Sequence, residues 1–148
     1  MPSVDFGPPP AALTRLQLAA LTQRRQELAQ RGVGLAGEWK QRFPKGSLTF
    51  TLTRLGGESN TLLRWRCSGT ACRPRGGRLE LAQLQEDLAA LPAPVRLRVL
   101  QFEQARIELN YEYALVAYQL ARLEDLDKHR VVLAGLRRPA NPGATRRN

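Results

Sequence analysis

The sequence predicts a mainly helical fold with one inserted antiparallel β-hairpin, in which a long C-terminal helix packs against an N-terminal helix. Past Pro94 the chain runs to Asp127 without Gly or Pro, and its apolar residues recur at alternating steps of three and four. That spacing is typical of one helical face. Between residues 47 and 67 the period changes to two on either side of Gly56-Gly57, which is typical of two paired strands.

The long helix carries two apolar lines. The first consists of Val95, Val99, Phe102, Leu109, Tyr113, Val116, Leu120 and Leu123. The second lies beside it and consists of Leu100, Ile107, Tyr111, Leu115 and Tyr118. A helix of this extent is roughly 50 Å long, and an apolar face this wide requires more than one neighbour. We therefore expect the rest of the chain to lie against it, and a homodimer through this helix is one candidate assembly.

The N-terminal helix is predicted over residues 11–31, after a flexible segment at residues 1–10. Gly32 and Gly34 are expected to end it, because glycine is favoured just past a helix C-terminus. A further helical turn or two is expected over residues 35–43.

The hairpin is predicted from strands at residues 47–54 and 61–67, with Trp65 on its apolar face and the threonines and arginines on the other. A two-stranded ribbon is marginal alone, so its apolar face must lie on the helices. We expect Trp65 and Phe102 to be core residues.

The segments that follow the hairpin complete a single domain. A short third strand at 79–81 and a helix at 82–91 precede the long helix, which residues 131–136 extend or recap. Residues 137–148, with four arginines, two prolines and a glycine, are expected to form a disordered basic tail. The predicted domain therefore spans residues 11–136.

The charge is strongly positive and uneven. The net charge is +10, with +9 in residues 1–78, −5 in residues 79–127 and +6 in residues 128–148. A pI near 10.9 with clustered arginine favours a polyanion partner, usually nucleic acid. The alternative is that the composition reflects a GC-rich genome and carries no function.

The candidate nucleic-acid-binding residues are arginines of the hairpin, of the loop after it and of the tail. They are Arg64, Arg66, Arg73, Arg75, Arg78, Arg137 and Arg138. A two-stranded ribbon fits the major groove of DNA, and guanidinium groups bind phosphate or pair with guanine. A solvated basic face without a ligand is the alternative.

A polar cluster interrupts the first apolar line. Glu103, Arg106 and Asn110 are spaced three and four residues apart and share a helical face. The favoured interpretation is an exposed ion pair whose arginine stem covers the apolar line. The sharper interpretation is a polar clasp under the hairpin, in which Glu103 meets Arg64 or Arg66.

The residue inventory argues against an enzyme and against a metal site. One histidine, His129, and two cysteines, Cys67 and Cys72, are too few for a four-ligand zinc site. We predict no catalytic residues, no metal and no cofactor. The cysteines are expected to be free thiols, and a disulfide between them requires an oxidising setting. No segment approaches the ~20 apolar residues of a membrane span, and no secretion signal is recognised, so the expected partners exclude the membrane and the expected location is the cytoplasm.

Two short motifs resemble a known family. Leu62-Leu63-Arg64-Trp65-Arg66 on the hairpin is followed by Phe102-Glu103-Gln104-Ala105-Arg106-Ile107-Glu108-Leu109-Asn110 on the long helix. The order of these landmarks, from Gly46 to Leu126, resembles an uncharacterised family carried on bacterial integrative and conjugative elements and sometimes labelled integrase regulators. The loop from Cys67 to Gly77 departs from that pattern. The resemblance implies a mobile-element context.

Two functions are therefore expected from the sequence. The first is a non-enzymatic DNA-binding accessory or regulatory protein of a mobile genetic element, acting in transfer, integration or its regulation. The alternative is a protein-binding adaptor or inhibitor, directed against a host defence complex for example, that uses the long helix.

Overall fold

Two long antiparallel helices and one hairpin make up the fold of the computed structural model, which describes residues 10–55, 61–68 and 79–139. The elements in chain order are α1 (Pro10–Arg42), β1 (Phe50–Arg54), β2 (Leu63–Cys67), a 3-10 helix (Leu81–Leu84), α2 (Gln85–Ala89) and α3 (Ala93–Arg137). Thr14, near the start of α1, is hydrogen-bonded to Arg130 near the end of α3. The predicted fold class is confirmed: α3 packs against α1, and the hairpin is inserted between them in sequence. The predicted flexible segment lies, except for Pro10, outside the described residues.

Helix α1 is one continuous helix of 33 residues, so the expectation that Gly32 and Gly34 end it is wrong. Gly32 is buried, and a Cβ there would lie 3.6 Å from a side-chain atom of Leu62 and 3.8 Å from one of Leu109. Glycine costs a helix only about 1 kcal/mol relative to alanine. The packing of α1 against the hairpin and α3 on both sides of these glycines outweighs that cost.

Helix α3 has 45 residues and ends ten residues beyond the predicted Asp127. It begins at Ala93 with Pro94 in its first turn, where proline is well accommodated. The first apolar line is confirmed, because six of its members are buried: Val99, Phe102, Leu109, Tyr113, Val116 and Leu120. The last turns, from Val131 to Arg137, are exposed throughout. Arg137 is thus helical, and residues 140–148 of the predicted tail lie outside the described residues.

The hairpin is antiparallel, with a register that runs from Phe50 opposite Cys67 to Arg54 opposite Leu63. Its inner face is buried at Phe50, Leu52, Leu63 and Trp65. Both strands are shorter than predicted, since residues 47–49 and 61–62 are not strand. The connections at residues 56–60 and 69–78 lie outside the described residues.

The predicted third strand and the predicted helix at 82–91 are only partly present. A single antiparallel bridge joins Leu79 to Trp65, and the chain then forms the short 3-10 helix before α2. Leu81 and Leu84 are both buried. Residues three apart are eclipsed in a 3-10 helix, so this tighter turn places both leucines on the core where an α-helix would stagger them.

An aromatic cluster joins the two helices to the hairpin. Trp39 of α1 is 1% exposed, and its ring centroid lies 5.0 Å from that of Trp65 and 5.2 Å from that of Phe102. Phe43 and Phe50 complete the cluster, with centroids 4.4 and 6.0 Å from that of Trp39. Aromatic pairs at these separations contribute beyond the area that they bury. The prediction that Trp65 and Phe102 are core residues is confirmed, with 1% and 7% exposure.

Two glycine substitutions compare a position inside α1 with one in the turn beyond its end at Arg42. At Gly34, which is exposed and helical, an added Cβ meets nothing within 4 Å, so Gly34→Ala should stabilise the protein by about 0.5–1 kcal/mol. Gly46 has a φ of +91°, so Gly46→Ala should destabilise it by roughly 1–2 kcal/mol. Urea denaturation at one protein concentration measures both. A loss of stability in Gly34→Ala would show that the helix ends at this glycine.

Candidate nucleic-acid interface

The polar cluster of α3 lies under the hairpin and is shielded from solvent. Arg106 donates two hydrogen bonds to Glu103, at 2.6 and 2.9 Å, and the indole nitrogen of Trp65 donates a third at 2.6 Å. The side chains of Arg106 and Glu103 are 15% and 17% exposed. The hydrogen bonds that Arg106 donates to Glu103 outweigh desolvation and raise the pKa of Arg106 above its ordinary value. A raised pKa of Arg106 stabilises the folded state. This stabilisation is complete below the pKa of a free arginine and is lost only above it, so the free energy of unfolding does not vary around neutral pH for this reason.

The favoured expectation of an exposed ion pair is therefore wrong. The alternative of a polar clasp places Glu103 correctly, under the hairpin, but gives it the wrong partner. Glu103 meets Trp65 rather than Arg64 or Arg66. The physical reason is that a buried indole N–H needs an acceptor. Trp65 lies on the inner face of β2, which turns that N–H towards α3, whereas the two arginines alternate to the other face.

Asn110 binds the free edge of β2 in the manner of a neighbouring strand. Its Oδ1 accepts from the backbone N–H groups of Leu62 and Leu63, both at 3.0 Å, and its Nδ2 donates to the Leu63 carbonyl at 2.8 Å. Two residues further along, Leu79 bridges Trp65 on the same strand. Main-chain groups at a sheet edge must be satisfied, and here α3 satisfies them. We use the name clasp for two sets of hydrogen bonds. Glu103 accepts from Arg106 and Trp65, and Asn110 binds the main chain at Leu62 and Leu63.

Helix α1 holds the opposite side of the hairpin. The indole nitrogen of Trp39 donates to the Thr51 hydroxyl at 3.0 Å, and the ring of Trp39 packs on Phe50. The hairpin is thus fixed by α3 along β2 and by α1 along β1. Its outer face is consequently held at a defined place on the molecule.

The outer face carries two cross-strand pairs, Thr51 with Arg66 and Thr53 with Arg64. Arg66 is exposed, whereas Arg64 is half-buried. Arg64 lines a hollow that Glu80, Arg106 and Asn110 also line. Its Nε is buried and has no hydrogen-bond partner in the described part of the chain. Of the two hairpin arginines that the sequence predicted as binding residues, Arg66 is thus the one that is open to a ligand in solution.

A cleft of about 500 Å³ separates the end of α1 from β1. Aromatic and hydroxyl-bearing side chains line it, among them Phe43, Thr51 and Thr53, and the exposed Lys40 and Lys45 are also part of its lining. No acidic residue is found among the described residues that line it. Sequence reasoning missed this cleft, although the lysines that flank Trp39, Phe43 and Pro44 were a signal that could have found it.

The remaining predicted binding residues are not brought to the hairpin within the described residues. Arg73, Arg75 and Arg78 lie outside them. Arg137 and Arg138 are exposed at the end of α3. Since Arg137 is 27 residues beyond Asn110, the helix carries it about 40 Å from the clasp.

Cys67 is disulfide-bonded, so the expectation of free thiols is wrong. The sequence has one other cysteine, Cys72, which lies outside the described residues. The expectation rested on the compartment, whereas two cysteines five residues apart in a sequence can pair wherever the setting is oxidising. Disulfides persist mainly in oxidising compartments, so a disulfide at Cys67 does not fit the predicted cytoplasmic location.

Removal of the Asn110 amide should loosen the hairpin. Asn110→Ala leaves the Leu62 and Leu63 N–H groups without their acceptor, and unsatisfied groups of this kind cost ~1–3 kcal/mol. We expect the free energy of unfolding in urea to fall by about 2–3 kcal/mol, with faster hydrogen exchange at both amides. Gln101→Ala, an exposed change on the same helix, is the control. Unchanged exchange at Leu62 and Leu63 would rule out this role for Asn110.

Two absences in the described residues and one comparison with known proteins complete the description. In the described ranges, no group of three or more His, Cys, Asp or Glu side chains could hold a metal ion. None of the helices described has a stretch long and apolar enough to cross a bilayer. Comparison with protein-family models, with curated proteins and with solved structures gives no significant match.

Proposed function

We propose that this protein is a non-enzymatic DNA-binding accessory or regulatory protein of a mobile genetic element. The observation that carries the proposal is a surface formed by the outer face of the hairpin and the adjoining cleft. We call it the basic face and define it by Lys40, Lys45 and Arg66 with the hydroxyls of Thr51 and Thr53.

The chemistry of the basic face matches a phosphate backbone. Arginine, lysine and hydroxyl side chains make most contacts to phosphate in protein–DNA complexes. Thr51 and Thr53 lie on the same strand face, and Arg66 lies opposite Thr51, so polar side chains are spaced along a rigid ribbon. Because α1 and α3 already fix that ribbon, DNA binding does not have to order its backbone, and the entropic cost of association is correspondingly smaller.

Two acidic side chains of α3 are paired away from this surface. Glu103 is bonded to Arg106 beneath the hairpin. Glu112 is paired with Arg24 and Arg31 across the interface between α1 and α3. The excess of acid in the segment 79–127 is thereby partly used between the helices, and the positive charge at the cleft remains available to an anion.

The mobile-element part of the proposal comes from the family resemblance. The two motifs that carry the resemblance meet in the clasp, where Trp65 of the first donates to Glu103 of the second. Asn110, the last residue of the second motif, binds Leu63 of the first. The motifs therefore describe how the hairpin is seated, which is the part of the structure that positions the basic face.

The alternative, a protein-binding adaptor or inhibitor, is favoured by one feature. The second apolar line of α3 is exposed at Ile107, Tyr111 and Tyr118. A hydrophobic line of this kind is a surface for protein contact rather than for DNA. DNA binding through the basic face leaves it uncovered.

A salt series tests the proposal. Each phosphate contact contributes about 0.9 to the slope of log affinity against log salt for duplex DNA. Arg66→Ala should therefore weaken binding and flatten the slope by about 0.9, and Arg66→Lys should restore most of the slope because it keeps the charge. Gel-shift titrations with single- and double-stranded DNA across salt measure both.

Lys128→Ala is the matched control, because it removes one exposed positive charge from α3, about 27 Å beyond Asn110 along the helix. It should leave the slope close to that of the wild type. Equal slopes for the wild type and Arg66→Ala would remove the hairpin from the site. No binding of the wild type to either form of DNA at low salt would reject the function and leave the adaptor in its place.

A further inference from the structure

The second apolar line of α3 is solvent-exposed along its whole length. Together with Leu97 it comprises Leu97, Leu100, Ile107, Tyr111, Leu115 and Tyr118, which are 60, 45, 52, 72, 45 and 64% exposed. We call these six residues the outer line. At ~100° per residue the outer line is centred about 180° from the buried line that contains Phe102 and Leu109, so the prediction that the second apolar line lies beside the first is wrong. Packing on α1 and on the hairpin therefore leaves it uncovered.

The outer line is large enough for a specific interface. It extends over 22 residues, or about 30 Å of helix, and Glu108, which accepts a hydrogen bond from Gln104, is the charged residue at its edge between Leu97 and Tyr118. Six large side chains that each expose roughly 100 Å² give on the order of 600 Å² per copy, near the ~800 Å² per partner of a standard interface. A soluble monomer rarely leaves a larger contiguous apolar patch than this open.

The spacing of the outer line is nearly the same read in either direction. If two helices run antiparallel about an axis beside Ile107, Leu97 faces Tyr118 of the second copy, and Leu100 faces its Leu115. Gln104, which lies on the same face of α3, then faces Tyr111. The axis falls between Ile107 and Glu108, so the two copies of Ile107 meet within one residue of it and Glu108 flanks them. A two-fold interface requires such self-complementarity. A foreign partner imposes no such condition on the spacing.

We propose that two copies of this chain form an antiparallel dimer through the outer lines of α3. Charge favours antiparallel over parallel pairing. Residues 128–139 include four Lys or Arg and no acid, and parallel helices would set two such segments side by side, with their dipoles aligned as well. Antiparallel helices place the two segments at opposite ends of the dimer. The proposal is independent of DNA binding.

Sedimentation equilibrium of the full chain tests the proposal. The wild type should have twice the 16.5 kDa mass of one chain at tens of micromolar. Ile107→Lys is made together with Glu108→Gln, so that no carboxylate faces the lysine. It then puts like charges together at the two-fold axis and should give a monomer with an unchanged circular dichroism spectrum, because neither residue is part of the buried core. That spectrum separates loss of association from loss of fold.

Leu136→Lys is the matched control and also discriminates between the two pairings. Leu136 is 78% exposed and falls on the same face of α3, but it lies beyond the antiparallel overlap. It should therefore remain a dimer, whereas parallel pairing would bring two lysines together. A monomeric Leu136→Lys would overturn the antiparallel arrangement. A dimeric Ile107→Lys, made with Glu108→Gln, would show that the interface lies elsewhere. A monomeric wild type would reject self-association and leave the outer line to a different protein.

Discussion

The clasp between α3 and β2 is the interaction on which the rest of the structure depends. A two-stranded hairpin cannot bury enough surface to persist alone. The aromatic cluster of Trp39, Trp65 and Phe102 supplies the apolar contact, but such contact is not directional. Asn110 and Glu103 add direction, because the first fixes the main chain of β2 at Leu63 and the second fixes the indole of Trp65. The hairpin can therefore occupy one position on α3, and its outer face has one orientation.

This arrangement makes α3 the element that organises two separate surfaces. One side of the helix buries Val99, Phe102 and Leu109 and holds the hairpin, which carries part of the basic face. The opposite side presents the outer line to solvent. Because the two sides are about 180° apart, association through the outer line leaves the basic face open. A DNA contact and a protein contact are thus compatible in one molecule.

Much of the fold could be predicted from the sequence because it depends on periodicity. The buried line of α3 and the inner face of the hairpin, including Trp65, follow from spacing alone. What could not be predicted depends on contacts between distant residues. The buried position of Gly32 follows from its approach to Leu62 and Leu109, which no local pattern reveals, and the same is true of the indole that Glu103 meets. The cleft likewise requires the end of α1 to lie beside β1. The predicted arginines were only partly informative, since Arg64 is half-buried while Lys40 and Lys45, which the prediction omitted, are exposed.

A double-mutant cycle between Trp65 and Glu103 tests the central role of the clasp most directly. Trp65→Phe removes the indole donor and Glu103→Leu removes the carboxylate acceptor, and the cycle cancels the cavity and the loss of the Arg106 pair that each change brings separately. Unfolding free energies from urea denaturation at one protein concentration give the coupling. A hydrogen bond to a charged group contributes about 1.5–3 kcal/mol, so we expect the two changes to be coupled by at least about 1 kcal/mol. Effects that add to within ~0.3–0.5 kcal/mol would contradict the account, because Glu103 would then contribute nothing to the position of Trp65.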